Sequence, residues 1–465
     1  GWKLNFAKNE EKRLVVNIKI LFLIILIFAS KQAYSSQKIS IIRDAEIEFF
    51  LFKILQTTFD KNIKSNTYYP RLVNNHEYNA FVTGSNKIYI NTGLIKKSNS
   101  LSEIQGVLAH EIGHLVLNHH NSRSINNKNL SNYAKFASIA GIALSASGKL
   151  DVNSAIGIIA GSEDLATKSS LQFSRIQEQH ADKYALDIML KKKISFDGLE
   201  RLLMNLSNEE VLSKNLLSSY YRSHPFTKQR LDQLKKYKSK IKYIPNETHH
   251  VLINNNKISL EYIKNKIKSY DSDPEKILNN KDNKNSFLFN YSRVIASYKI
   301  GKYNLAHEYL KTLKNKYKDY PYFFELSGDI HYKDGNFEKA ISEYNKAINA
   351  INEKFSPSND LIKFSLVKSY IQTNNKKNLN ESITILEQLL QNNPKWSYLW
   401  RLLAKSSNKI NRKGISYIAL AEEALIKKNF IKAKKYVDLA NKQPSIPSSY
   451  KLRGADILAR IKIKK

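Results

Sequence analysis

Leu101 to His120 read LSEIQGVLAHEIGHLVLNHH, and within them His110-Glu111-Ile112-Gly113-His114 sets two imidazoles four residues apart with a carboxylate beside the first. On an α-helix four residues advance about 400°, so both rings leave one face a turn apart and can share a single ion. Neutral imidazole at this spacing suits zinc, whose catalytic sites keep one position open, and Glu111 stands where it can take a proton from metal-bound water. Five letters also match by accident on surface helices, so the context matters. Ser100 followed by Glu103 is a capping box, and Leu101, Ile104, Val107, Leu108, Ile112 and Leu115 recur at helical spacing. The motif is therefore predicted on an amphipathic, partly buried helix.

Two imidazoles need a third donor. His120 falls where H-E-x-x-H-x-x-G-x-x-H would place one, yet Leu117 holds the glycine position and nothing permits the sharp turn such a ligand requires. In a continuing helix His119 and His120 point about 140° and 240° away from His114, and they suit a helix end. The alternative donor is Glu178, in Ser174-Arg175-Ile176-Gln177-Glu178-Gln179-His180-Ala181-Asp182. Glu178 and Asp182 are four apart, so one helix face can offer a ligand carboxylate and a second carboxylate to hydrogen-bond a ligand histidine. His180 is expected to face elsewhere.

These two segments, with Ser223-His224-Pro225-Phe226 and Arg230 as a third, resemble the gluzincin-type zinc metallopeptidase family that contains the CAAX prenyl protease type 1 and HtpX, closest to its periplasmic BepA-type members. The resemblance covers residues from about 36 to 240, and no ligand position departs from the pattern. It implies one zinc ion on His110, His114 and Glu178, Glu111 as general base, Asp182 behind the ligands, and His224 over the open face of the metal. His224 then has two opposed roles open to it: stabilising the oxyanion of the tetrahedral intermediate, or sitting on zinc in a latent resting enzyme. The gating role is favoured, since a secreted protease among folding clients needs restraint.

The chain has 465 residues, no cysteine and a formal charge of +34. Disulfides, thiol ligands, cysteine catalysis and a lipid-carrying cysteine are excluded. Lys12, Arg13 and Lys19 precede the apolar run Ile20 to Ala29, and Ala33-Tyr34-Ser35 fits a signal-peptidase site. A signal peptide over residues 1–35 and a periplasmic address are expected. The lysines are spread along the chain and no nucleic-acid-binding motif appears, so no nucleic-acid partner is expected; peripheral contact with anionic membrane components is a secondary expectation.

The remaining chain completes the organisation. Ile39 to Phe59 is predicted as the first helix of a metalloprotease domain over 36–240, and Ala80–Thr83 with Lys87–Asn91 as a hairpin around Gly84-Ser85-Asn86, an edge for extended substrate or a purely structural element. Residues 134–171 carry apolar stretches too short to span a bilayer, expected to pack by the cleft or dip into a membrane surface. Residues 241–286 turn polar, apart from one short helical patch near Leu260 to Tyr270, and read as a linker. From 287 to 465, Tyr298, Gly301, Tyr303 and Ala306 recur 34 residues on as Tyr332, Gly335, Phe337 and Ala340. This period resembles the tetratricopeptide repeat, and roughly four helix pairs closed by a last helix from Ser448 are predicted, with Ser382–Leu390 and Asn429–Ala440 as degenerate copies. The expected fold class is mainly α with a small β-hairpin or sheet: a gluzincin-like protease domain followed by an α-helical solenoid able to fold alone.

The expected activity is zinc-dependent endopeptidase action on misfolded or misassembled envelope proteins. The repeats are expected to dock protein partners, foremost the outer-membrane protein assembly machinery. The competing expectation is a repeat-based periplasmic chaperone or adaptor whose proteolysis is dormant or secondary.

Overall fold

The computed structural model describes residues 40–59, 68–82, 87–117, 173–210, 219–243, 245, 249–280, 286–352 and 356–463. The expected signal peptide, the Gly84–Asn86 turn, His119, His120 and the 134–171 interval lie outside the described residues. Among the described residues no helix is long and apolar enough to cross a membrane.

The chain enters through a short strand, β1 (Ile41–Ile42), and helix α1 (Ala45–Thr58). The predicted helix from Ile39 starts later because extended Asp44 caps it, accepting the Ile47 amide at 2.8 Å. Then come β2 (Tyr69–Val73), β3 (Ala80–Val82) and β4 (Lys87–Asn91), in a four-stranded sheet ordered β1-β2-β4-β3. The expected hairpin is the antiparallel pair β3/β4, while β2 joins β4 in parallel register, Tyr69 opposite Lys87. Alternation sends Leu72, Ala80, Val82, Ile88 and Ile90 into the main core and leaves Val73, Phe81 and Tyr89 as a cluster of their own. Strand β3 is one edge of this sheet and β1 the other.

After α2 (Thr92–Lys97) comes α3 (Leu101–Val116), which carries the His-Glu-x-x-His motif. It is more enclosed than an amphipathic pattern suggests: every residue from Leu101 to His114 is buried, between α1, β3 and the helices α4 (Arg175–Lys191) and α5 (Asp197–Glu209). Ser100 caps it by accepting the Glu103 amide, but the Glu103 carboxylate takes the Asn99 amide at 3.0 Å and Tyr78 Oη at 2.7 Å rather than closing the box on Ser100. Helices α6 (Ser219–Ser223) and α7 (Lys228–Lys238) follow.

The segment expected as a linker contains packed structure. Strands β5 (His250–Ile253) and β6 (Asn256–Ser259) form a hairpin, followed by α8 (Leu260–Asp271) and α9 (Pro274–Leu278). Asn254 and Asn255 hold φ of 46° and 63°, the left-handed pair a two-residue hairpin turn needs. Val251, Ile253, Ile258, Tyr262 and Ile263 are buried in a core that runs unbroken from Ala45 to Leu366.

Stacked helices follow: α10 (Phe287–Lys299), α11 (Tyr303–Lys316), α12 (Pro321–Lys333), α13 (Phe337–Ala350), α14 (Ser356–Thr373), α15 (Lys376–Asn392), α16 (Ser397–Lys409), α17 (Lys413–Ile426), α18 (Phe430–Asn441) and α19 (Ser448–Ile463). Helices α10/α11 and α12/α13 repeat at the predicted period, and Gly301 and Gly335 take φ of 77° and 76° at equivalent turns. Gly328 lies so close to the Tyr344 ring that a Cβ would meet it at 2.7 Å, which is how the paired helices approach. Four pairs from α10 to α17 precede α18 and the last helix, and a second core extends from Val367 to Ile461.

Glu46, on α1, joins the sheet-bearing part to the stacked helices. Its buried carboxylate accepts Tyr262 Oη at 2.7 Å, Tyr320 Oη at 2.6 Å, Tyr291 Oη at 2.9 Å and Lys266 Nζ at 2.7 Å. Ser358 Oγ also donates to the Ala45 carbonyl at 2.9 Å.

Candidate metal centre

Helices α3 and α4 pack where Gly113 meets Ala181. A Cβ on Gly113 would lie 3.1 Å from Ala181 Cα, so small residues on both sides let the donor-bearing helices close up. Helix α4 starts with a complete capping box, Ser174 Oγ accepting the Gln177 amide at 3.2 Å and Gln177 Oε1 accepting the Ser174 amide at 3.0 Å. That fixes the first turn, and Glu178 and Asp182 emerge from one face with no solvent exposure. His180 is exposed on the far side.

Three donors converge. His110 Nε2 lies 3.1 Å from His114 Nε2 and 3.3 Å from Glu178 Oε2, and His114 Nε2 lies 3.3 Å from Glu178 Oε1. His110 Nδ1 is 2.8 Å from Asp182 Oδ1, a pairing that turns its Nε2 inward. The fourth side chain is His224, whose Nδ1 is 3.1 Å from Glu178 Oε1 and 3.3 Å from His110 Nε2. Donor atoms of His110, His114, Glu178 and His224 all lie within 4.8 Å of one another and can hold a metal ion. Glu111, also buried, has Oε1 3.4 Å from both His224 Nε2 and Tyr220 Oη, and its Oε2 has no hydrogen-bond partner among the described residues.

The donor set fits a small divalent cation. Ligands about 2.0–2.1 Å from a tetrahedral ion stand about 3.3 Å apart, which is the spacing of these atoms. Electrostatics agree. Burial opposes charge on His110, but the Glu178 and Asp182 carboxylates raise its imidazolium to about 10, so the pocket calls for a positive charge at that ring. Burial pushes Glu178 up, but His224, Arg230 and His110 outweigh it and hold the carboxyl well below its usual range. His114 is driven well down by burial, keeping its lone pair for a ligand. Burial lifts Glu111, against the attraction of His224 and His110, as befits a proton acceptor.

Two contributors went unnamed in the sequence reading, and a third, Arg230, was placed in a matching segment there without a role. Phe173 stacks on His114 with ring centres 3.7 Å apart, and Tyr220 stacks on His224 at 4.4 Å. Arg230 reaches Glu178 and Asp182 together. Tyr220 stands one helical turn before His224 and Phe173 immediately precedes the Ser174 cap, signals that spacing alone offered.

Residues 53–238 match the model of peptidase family M48. The β-barrel assembly-enhancing protease of Escherichia coli K12 is 22% identical over 365 residues, covering 76% of this chain and 69% of that protein. The Yersinia pestis protein of the same name is 22% identical over 313 residues, 65% of this chain and 60% of its own. Among solved structures, yeast Tom70 aligns with a TM-score of 0.27 and 13% identity over 79% of this chain and 62% of Tom70. The APC/C component Cut9–Hcn1 aligns at 0.23 and 16% over 77% and 76%. With the buried His-His-Glu-His cluster built by the segment that the family model covers, residues 53–238 are a metallopeptidase domain of family M48, distantly related to the β-barrel assembly-enhancing proteases.

Proposed function

We propose that this chain is a zinc-dependent endopeptidase in which His110, His114 and Glu178 hold the ion, Asp182 orients His110, Glu111 is the general base, and His224 gates the site. The observation that carries this is the convergence of two Nε2 atoms and the Glu178 carboxylate at tetrahedral spacing beside a buried, unpartnered Glu111 oxygen. Zinc, when bound, supplies Lewis-acid activation of a water molecule. Glu111 accepts the water's proton at Oε2 and passes it to the departing amide nitrogen. Tyr220 and His224 flank the other Glu111 oxygen and fix its direction. An extended peptide suits the edge strand β3, whose packing on α3 brings a paired main chain toward the motif.

The position of His224 supports a resting state in which Nδ1 sits among the metal donors, so that its departure opens the catalytic position. The division we propose is a protease unit over 36–240, a packed connector over 241–286 and a repeat unit over 287–465, preceded by a signal peptide over 1–35. The distant kinship with β-barrel assembly-enhancing proteases supports a periplasmic enzyme that removes misassembled envelope proteins, its repeats docking outer-membrane assembly partners. Zinc content and digestion of casein, measured for wild type beside Glu111→Gln, test the reading. The variant should keep zinc and lose cleavage; equal digestion by both proteins would sink it.

A further inference from the structure

Among the described residues Arg230 is the largest side chain with no solvent exposure, and each of its three guanidinium nitrogens is committed. Nε and Nη2 grip Asp182 side-on at 2.5 and 2.9 Å, to Oδ2 and Oδ1. Nη1 lies 2.9 Å from Glu178 Oε2 and donates to the Pro225 carbonyl at 3.1 Å, with the His224 carbonyl at 3.5 Å. One side chain from α7 thus touches the carboxylate among the metal donors, the acid behind His110, and the main chain of the turn that carries His224. Among the described residues no other Lys or Arg pairs with Glu178 or Asp182.

Resting on the metal-site reading above, we propose that Arg230 is a positioning residue that ties the His224 turn to helix α4. The planar fork holds Glu178 and Asp182 as anions in fixed relative orientation, and its remaining N–H bonds fasten the peptide at Pro225 to the same plate. His224 cannot leave the donor set without stretching the Pro225 bond, and the ligand carboxylate cannot swing without disturbing that turn. Lysine offers one nitrogen where three are used, so charge alone does not replace the fork.

The test is a double-variant cycle in zinc affinity, read by competition with a chromophoric chelator on the full chain: wild type, Arg230→Lys, His224→Ala and the pair. Arg230→Lys should weaken zinc about 10–100-fold, the range for losing a partner of a metal ligand. His224→Ala should weaken zinc about tenfold in wild type but less than about threefold beside Arg230→Lys, because the turn has already come loose. Wild-type affinity in Arg230→Lys, or an equal factor for His224→Ala in both backgrounds, overturns the tie. Wild type that takes up no zinc, or His110→Ala that keeps it, overturns the metal site and this proposal with it. Should Arg230→Lys fold poorly, hydrogen exchange of wild type decides. Zinc should slow exchange over 219–230 together with 174–186, and protection confined to 174–186 overturns the proposal.

Discussion

Replacing Glu46 by Gln keeps the shape of the side chain and removes its charge from a cavity where four donors meet it at 2.6–2.9 Å. An amide can still accept from Tyr262 and Tyr320 at its oxygen, but its NH2 then faces Lys266, which can only donate, and Tyr291, whose hydroxyl must turn to accept. Breaking one side of a buried ion pair costs about 3–5 kcal/mol when the other charge is stranded. Lys266 is not wholly stranded, since Asp44 lies 2.8 Å away with a side chain 20% exposed. The net loss is therefore about 2–3 kcal/mol. Urea unfolding should be followed by two probes, tryptophan emission from Trp396 and Trp400 in the stacked helices and zinc release from the protease side. Both midpoints should fall together, because the three tyrosines belong to the connector and the repeats while Glu46 belongs to α1. A shift below about 0.5 kcal/mol, or one seen by only one probe, would refute the reasoning. It would also support the sequence-based expectation that the solenoid folds alone.

Glu178→Ala should lose zinc as badly as His110→Ala, while His120→Ala keeps it; chelator competition decides, and zinc retained by Glu178→Ala would discard the ligand set. His307 and His331 pack with ring centres 4.2 Å apart between α11 and α12. Burial, His331 and Lys314 together hold His307 down to about 4 against the pull of Glu343 and Asp334. The unfolded chain, with an ordinary histidine near 6.5, therefore binds the proton first. This contribution to stability is full above about pH 6.5 and falls as pH drops toward 4, so His307→Gln should flatten the decline in Tm between pH 7 and 5, and an unchanged slope would exclude the pair as its source.

The candidate metal donors on α3 and α4 were legible because the decisive spacings are local. Two histidines four apart and two acids four apart announce their shared faces on any helix. What brings α4, α6 and α7 against α3 is tertiary packing, and so the Arg230 contacts and the rings of Phe173 and Tyr220 left no periodic trace. Strand β2, Tyr-Pro-Arg-Leu-Val, lacks alternation because Arg71 is buried in it, paired 3.2 Å from Glu48 of α1. In the repeats, Gly301 and Gly335 marked their turns, but later turns place Asn374, Asn411 and Lys428 at φ of 56°, 62° and 59°. Asparagine enters that conformation readily, and lysine does so at about 1–2 kcal/mol, so the same backbone recurs without the glycine. The connector was missed for a similar reason: its turn is Asn-Asn within a polar stretch, and only three buried aliphatic residues, Val251, Ile253 and Ile258, reveal the hairpin.

The most direct measurement is an anomalous difference map at the zinc absorption edge from crystals of the full chain. The account predicts one peak, about 2.0–2.1 Å from His110 Nε2, His114 Nε2 and a Glu178 oxygen, and absent from crystals of His110→Ala. A peak coordinated without Glu178, or no zinc bound among these side chains at all, would contradict it.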